Sequence, residues 1–255
     1  MQLAFGAGAL WGSRTDVTGS GISPEQFGIM QDVQIDWDWT VKELWGQYQM
    51  PVDIARGQGK IAGKAKFARI FGAIYGSLFF GQTPVAGQLT VSENEAATVP
   101  ASTPWQVTVT NAANYVDDLG VYYATGANAG NRFTRVTTPS TAGQYSVNLA
   151  TGIYTFSTAD ANAAVLISYL YNISAGGRKL VLTNQFMGYT PTFKATFYTT
   201  KTTQGTPAGL ALVLNACTAN KLSLPTKIDD YLIQEMDFMA FADATGAIGT
   251  LSVNE

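Results

Sequence analysis

Four carboxylates stand in two pairs at a spacing of two residues: Asp36 with Asp38, and Glu235 with Asp237. In an extended chain, residues i and i+2 share a face, so each pair sets two acids side by side. Two carboxyls flanking a bond are the machinery of glycoside hydrolysis, provided a cleft holds them at a defined separation. Exposed strand faces supply such pairs without any cleft, so the pairs alone do not define an enzyme. Other routes to catalysis are closed. The chain has no histidine and one cysteine, Cys217. A Ser-His triad cannot be built, and Cys217 has no imidazole base. A lone cysteine also excludes an internal disulfide and a cysteine zinc site. Within Leu214-Asn215-Ala216-Cys217 it reads as a small buried apolar residue. Gly57-Gln58-Gly59-Lys60 lacks the glycine spacing and the Ser/Thr of a phosphate loop. Asp229-Asp230 lacks the spaced ligands and closing Glu of a calcium loop. No catalytic residue, cofactor or metal ligand is assigned, and the expectation is a protein that is not an enzyme.

The elements that carry these acids are strands. Val33, Ile35, Trp37 and Trp39 alternate with Gln34, Asp36 and Asp38, the pattern of a half-buried strand. A second strand over 60–66 puts Lys60, Lys64 and Lys66 on one face and Ile61, Gly63, Ala65 and Phe67 on the other. A strand over 231–241 places Met236, Phe238 and Ala240 opposite Glu235, Asp237 and Met239. Further strands are expected at 179–182, 192–198 and 210–214. Between the first two strands, 40–58 reads as a loop. Residues 1–32, rich in glycine, read as an extended arm or long loop. Phe67, Ile70, Phe71, Ile74 and Leu78 follow helical spacing and predict one helix over 67–80. Its Gly72 and Gly76 either let it pack closely on a sheet or simply loosen it.

Composition shifts near residue 92. Ser92 to Thr98 reads as a polar linker, and charged residues then nearly vanish until about 172. Short strands recur there, at 105–109, 120–123, 144–147, 153–156 and 164–169, the rhythm of a small β-sandwich. The expected fold class is therefore mainly β. A two-sheet domain with one flanking helix, 1–91 and 173–255, is interrupted by an inserted Ig-like β-sandwich at 92–172.

Charged residues are 13% of the chain and hydrophobic residues 46%, against about 25% charged in ordinary soluble domains. Sparse charge suits a protein that covers much of its surface with other copies of itself. The net charge of −3, without a basic tract, argues against a grip on nucleic acid phosphates. The N-terminus lacks the basic region and unbroken apolar run of a signal peptide, and no stretch suits a membrane helix. Synthesis in the cytoplasm and no membrane insertion are expected. Asp36, Asp38, Glu235 and Asp237 would line a channel if strands from several copies closed into one barrel. Otherwise they form a solvated outer face. Lys60, Lys64 and Lys66 could pair with them across strands.

Several stretches carry a family resemblance. They are Gln31-Asp32-Val33-Gln34-Ile35-Asp36, Lys42-Glu43-Leu44-Trp45-Gly46-Gln47, Ala55 to Phe67, Lys227-Ile228-Asp229-Asp230-Tyr231 with Glu235-Met236-Asp237-Phe238, and Ala242 to Gly246. In type and order they resemble a tail tube (major tail) protein of tailed bacteriophages. The insert, with Asp118-Leu119-Gly120-Val121, Gly143 to Val147 and Gly152 to Phe156, resembles an extra β domain of phage structural proteins. The resemblance implies subunits in hexameric rings, stacked into a tube in the virion tail after synthesis in the host bacterium. The tube would enclose a tape-measure protein, meet tail-end proteins and pass DNA without binding it specifically. Segment 1–32 and loop 40–58 would serve ring stacking, and the insert would lie outside the tube. Two alternatives are another virion part, such as a capsid decoration protein, and a carbohydrate-binding or adhesive module. The latter would use Tyr122, Tyr123, Tyr145, Tyr154 or Tyr169 as platforms.

Overall fold

The computed structural model describes residues 6–17, 23–69, 72, 74–203 and 206–253, the side chains of 200–203 and 206–208 excepted. The chain is mainly β and divides into two units, Met1–Pro84 with Leu180–Glu255, and Val85–Lys179. In chain order the first unit contributes β1 (Ala9–Arg14), β2 (Glu25–Gln26), β3 (Met30–Trp45) and β4 (Pro51–Phe67). The second holds β5 (Val85–Thr98), β6 (Gln106–Thr108), β7 (Tyr115–Tyr123), β8 (Thr134–Arg135), β9 (Gln144–Asn148), β10 (Ile153–Phe156) and β11 (Ala164–Lys179). The first unit resumes with β12 (Phe193–Thr203), β13 (Thr206–Ser223), β14 (Gln234–Phe241) and β15 (Gly249–Val253).

The first unit is one sheet in the order β2-β1-β12-β13-β14-β4-β3, with β15 also pairing with β13. Period-2 alternation sets its register. Ile61, Ala65 and Phe67 on β4 and Met236 and Phe238 on β14 are buried on one face, and Lys64, Lys66, Glu235 and Asp237 take the other. The buried face packs against Leu10, Phe27, Ile74, Leu78, Phe193 and Leu214. Gly63 is required there, because a Cβ would run into the ring of Phe238 on the adjacent strand. Gly12 on β1 does the same for Leu78.

Four expectations are corrected in this unit. The expected two sheets are one, because β14 pairs with both β13 and β4 and joins the strands on either side into a single ladder. The helix is a π-helical turn, Ile74–Phe79, because Phe67 and its neighbours are held in β4 by the β14 ladder. Ile70 and Phe71 lie outside the described residues. Gly76 packs against Pro84 and the Gln82 carbonyl of its own following loop, not against a sheet. Within 1–32, β1 pairs with β12 and β2 with β1, β3 begins at Met30 and Phe27 is fully buried, so 9–14, 25–26 and 30–32 are strand residues of the sheet; 1–5 and 18–22 lie outside the described residues. The expected strand at 179–182 ends at Lys179, where the β5 ladder stops.

The second unit packs the sheet β5-β11-β7 against β6-β10-β9-β8. Val121, Val165, Ile167 and Tyr169 from one layer meet Tyr145, Tyr154 and Phe156 from the other. The supposed linker Ser92–Thr98 is the end of β5, and both β5 and β11 run past the expected limits of 92 and 172. Their polar residues are strand residues with internal partners. Glu95 accepts from the Tyr169 hydroxyl (2.5 Å), the Thr110 amide (2.8 Å) and the Thr110 hydroxyl (2.9 Å). Asp118 accepts from the hydroxyls of Tyr145 (2.6 Å) and Tyr154 (2.9 Å) and the Gly120 amide (3.0 Å). Asp160 accepts from the Tyr123 hydroxyl (2.5 Å) and the Gly143 amide (3.0 Å). Each carboxylate thus joins parts of both layers.

Candidate functional site

All four sequence-assigned acids lie on the face of the first unit's sheet opposite its core. The cross-strand ladders set them in rows. One row reads Ser223, Glu235, Lys66, Asp32, and the next Lys221, Asp237, Lys64, Gln34. Asp36 lies opposite Ala62, and Asp38 opposite Lys60. Lys64 Nζ is 2.8 Å from Glu235 Oε1, and Lys66 Nζ is 3.7 Å from Asp32. Lys221 on β13 reaches Glu235 at 3.4 Å and Asp237 at 3.8 Å. Asp36 accepts from the Gln34 amide at 3.1 Å.

The face is therefore a mixed-charge ladder. Asp32, Asp36, Asp38, Glu235 and Asp237 face Lys60, Lys64, Lys66 and Lys221, five against four, a net of −1. The lysines share the acids' face because β4 lies between β3 and β14, and the cross-strand pairing expected of them is present for Lys64 with Glu235 and Lys66 with Asp32. The Lys64 hydrogen bond holds Glu235 below the ordinary carboxylate range, and Lys64 is raised in turn. A general acid needs the opposite shift, so the Lys64 hydrogen bond does not prepare Glu235 for that role. Burial pushes the Cys217 thiol up to about 12, so it stays protonated in the core. Among the described residues, no group of three or more Cys, Asp or Glu is placed to hold a metal. No helix among them is long and apolar enough to cross a membrane.

The tyrosines divide sharply. Tyr145, Tyr154 and Tyr169 are buried and spend their hydroxyls on Asp118 and Glu95. They cannot serve as sugar platforms, which corrects that part of the carbohydrate reading. Tyr122 and Tyr123 are half-buried.

The feature that the sequence reading missed is the segment 40–58. It is not a loop but the outer part of a long hairpin. β3 and β4 pair from Met30↔Phe67 out to Trp45↔Pro51, whereas β14 supports β4 only over Ile61–Phe67. Beyond Lys60 the hairpin continues as a two-stranded arm. Trp37 at its base, opposite Ile61, and Trp39, Val41, Leu44, Trp45, Tyr48, Met50, Val52 and Ile54 along it are 39–75% exposed. The base of the arm is fixed locally. The Trp39 indole lies against Gly59, leaving no space for a Cβ, and the Arg56 guanidinium sits 5.0 Å from the Trp39 ring centre, a cation–π contact. A two-stranded ribbon is marginal in water by itself, and a contiguous apolar surface of this kind marks an interaction site. Its signal in the sequence was the density of large apolar residues at 37–54 without an in-out alternation.

The fold and this surface define a two-unit, mainly β protein with an apolar hairpin arm that has no partner strand beyond its own two among the described residues, and a mixed-charge sheet face. Compared with protein-family models and with curated proteins, the chain finds no match.

Proposed function

We propose that this chain is a structural subunit of a bacteriophage tail tube, self-assembling into stacked rings around a channel for DNA. The observation that carries the reading is the hairpin arm, whose apolar residues have no partner within the described chain and suit contact with further copies. The resemblance of the β3, β4 and β14 sequences supports it. Rings would be hexameric, would enclose a tape-measure protein and would meet tail-end proteins, in a virion tail made in the host cytoplasm. The charged ladder suits a channel wall: Lys64, Lys66 and Lys221 are held by carboxylates of their own chain, which weakens their pull on passing phosphates. The protein acts by architecture rather than by catalysis.

Negative-stain electron microscopy of the purified protein across a concentration series tests this. Hollow rings or tubes are expected. Dispersed compact particles at every concentration would remove the reading and favour a decoration or carbohydrate-binding role.

A further inference from the structure

We infer that the open outer edge of β15 in one copy is filled by the hairpin arm of a second copy, an inference that rests on the tube reading for the presence of that second copy. The strand order carries it. Over Leu210–Leu214, β13 has β12 on one side, so β15, which pairs with the same residues, must occupy the other. That is the side on which β14 pairs with Ala216–Ser223. β15 and β14 therefore follow one another in a single column beside β13. The outer neighbour of β14 is β4, from Gln234↔Phe67 to Ala240↔Ile61. Continued outwards, β4 would run antiparallel along β15. Cys217, Ala240 and Ile61 are level. Seven positions back along each strand, Leu210 with its partner Val253 comes level with Ile54, to within the one-residue bulge in β13 between Leu214 and Cys217.

The chain's own arm does not take that place. From Pro51 to Lys60, β4 pairs with β3 alone, and β15 pairs with β13 alone. All five residues of β15 are exposed, Leu251 and Val253 among them. β15 thus offers a row of open amides and carbonyls beside the position that its own arm vacates, a template for an added strand. The area fits. At roughly 150–200 Å² per large side chain, the exposed fractions of the nine arm residues amount to roughly 800–1,000 Å², against about 800 Å² per partner in a stable interface. Exchange of identical elements between copies is a low-cost route to assembly, and a head-to-tail contact of this kind forms a ring when its rotation closes.

The test uses full-length chains mixed in assembly conditions, one carrying Ile54→Cys and the other Val253→Cys, then mild oxidation and a non-reducing gel. Only a bond between different chains can join the two positions, and Cys217 is buried. Leu149→Cys, at an exposed site of the second unit, replaces Val253→Cys to set the background. A heterodimer band at least about tenfold over that background is expected, since a disulfide needs Cβ atoms about 3.5–4.5 Å apart. Rings or tubes visible by microscopy with cross-linking at background would overturn the β15 assignment and leave the tube reading standing. A chain that stays monomeric at every concentration would overturn both. A double variant, Ile54→Cys with Val253→Cys in one chain, that closes an internal bond in dilute monomer would show the arm folding onto its own edge and would also overturn it.

Discussion

The two units hold their carboxylates in opposite ways. In Val85–Lys179, Glu95, Asp118 and Asp160 are set among tyrosine hydroxyls and backbone amides. On the other unit's sheet, Asp32, Glu235 and Asp237 meet lysine ammonium groups at the surface. A buried carboxylate cannot exchange its donors for water, so losing it strands those donors. A surface ion pair already competes with solvent and salt. The same residue type therefore latches a core in one unit and sets charge balance on a face of the other.

The contrast should break first at Asp118, whose side chain is only 4% exposed. Asp118→Ala strands the Tyr145 hydroxyl and the Gly120 amide, leaves the Tyr154 hydroxyl with Tyr115 alone, and removes the ion pair to Arg135. At about 1–3 kcal/mol per unsatisfied buried group, a loss of roughly 3–5 kcal/mol is expected in urea denaturation. A loss below about 1 kcal/mol would erase the difference between the units.

Apolar side chains extend the comparison: Tyr154 is fully buried and Tyr48 is 74% exposed. Replacing Trp45 and Tyr48 together with Ser should shift stability by no more than about 0.5 kcal/mol. Sedimentation should nevertheless show assembly falling by about tenfold or more, as for loss of central aromatic anchors. Unchanged assembly would mean that the arm is not the contact.

Acid should act on the second unit. Burial pushes the Glu95 carboxyl up, but hydrogen bonds from Tyr169, Thr110 and Ser92 outweigh it and leave it below its ordinary value. A depressed folded pKa contributes stability that is present above the unfolded value of about 4.3 and lost as pH falls through the folded one. The thermal midpoint of the wild type should therefore fall through that window, and Glu95→Gln should flatten the slope. Equal slopes would place the acid response elsewhere.

The smallest effect is expected at Glu235. Glu235→Gln should barely change stability at low salt and not at all at high salt, since its partners Lys64 and Lys221 are themselves exposed. A large, salt-insensitive loss would put Glu235 in the same class as Asp118.

What the sequence made legible follows from which faces are buried. β4 and β14 alternate apolar with charged residues because one face packs and the other is wet, so the faces within each strand, Asp36 with Asp38 and Glu235 with Asp237, could be read in advance, whereas the registers that set them on one face of the sheet come from the ladders. β5 was missed where Ser92, Glu93, Asn94 and Glu95 looked like a linker. Glu95 is a polar residue that a strand can hold because Tyr169 and Thr110 supply donors from distant positions, and Ser92 donates to the same carboxylate. The arm was missed because both its faces are exposed, which removes the period-2 signal. The helix was overextended because Phe67 fits helical spacing equally well, and only pairing with Gln234 and Met30 settles it as strand.

One pairing in the second unit has a further consequence. Val85 and Lys179, its first and last residues, are partners across the β5–β11 ladder, so their Cα atoms stand only about 4.5–5.5 Å apart. The chain enters and leaves through a single doorway. A genome could gain or lose the whole cassette in one splice, with a short turn from 84 to 180 resealing the host domain. The same seam would accept a foreign payload, such as an enzyme or an epitope, whose own termini lie side by side.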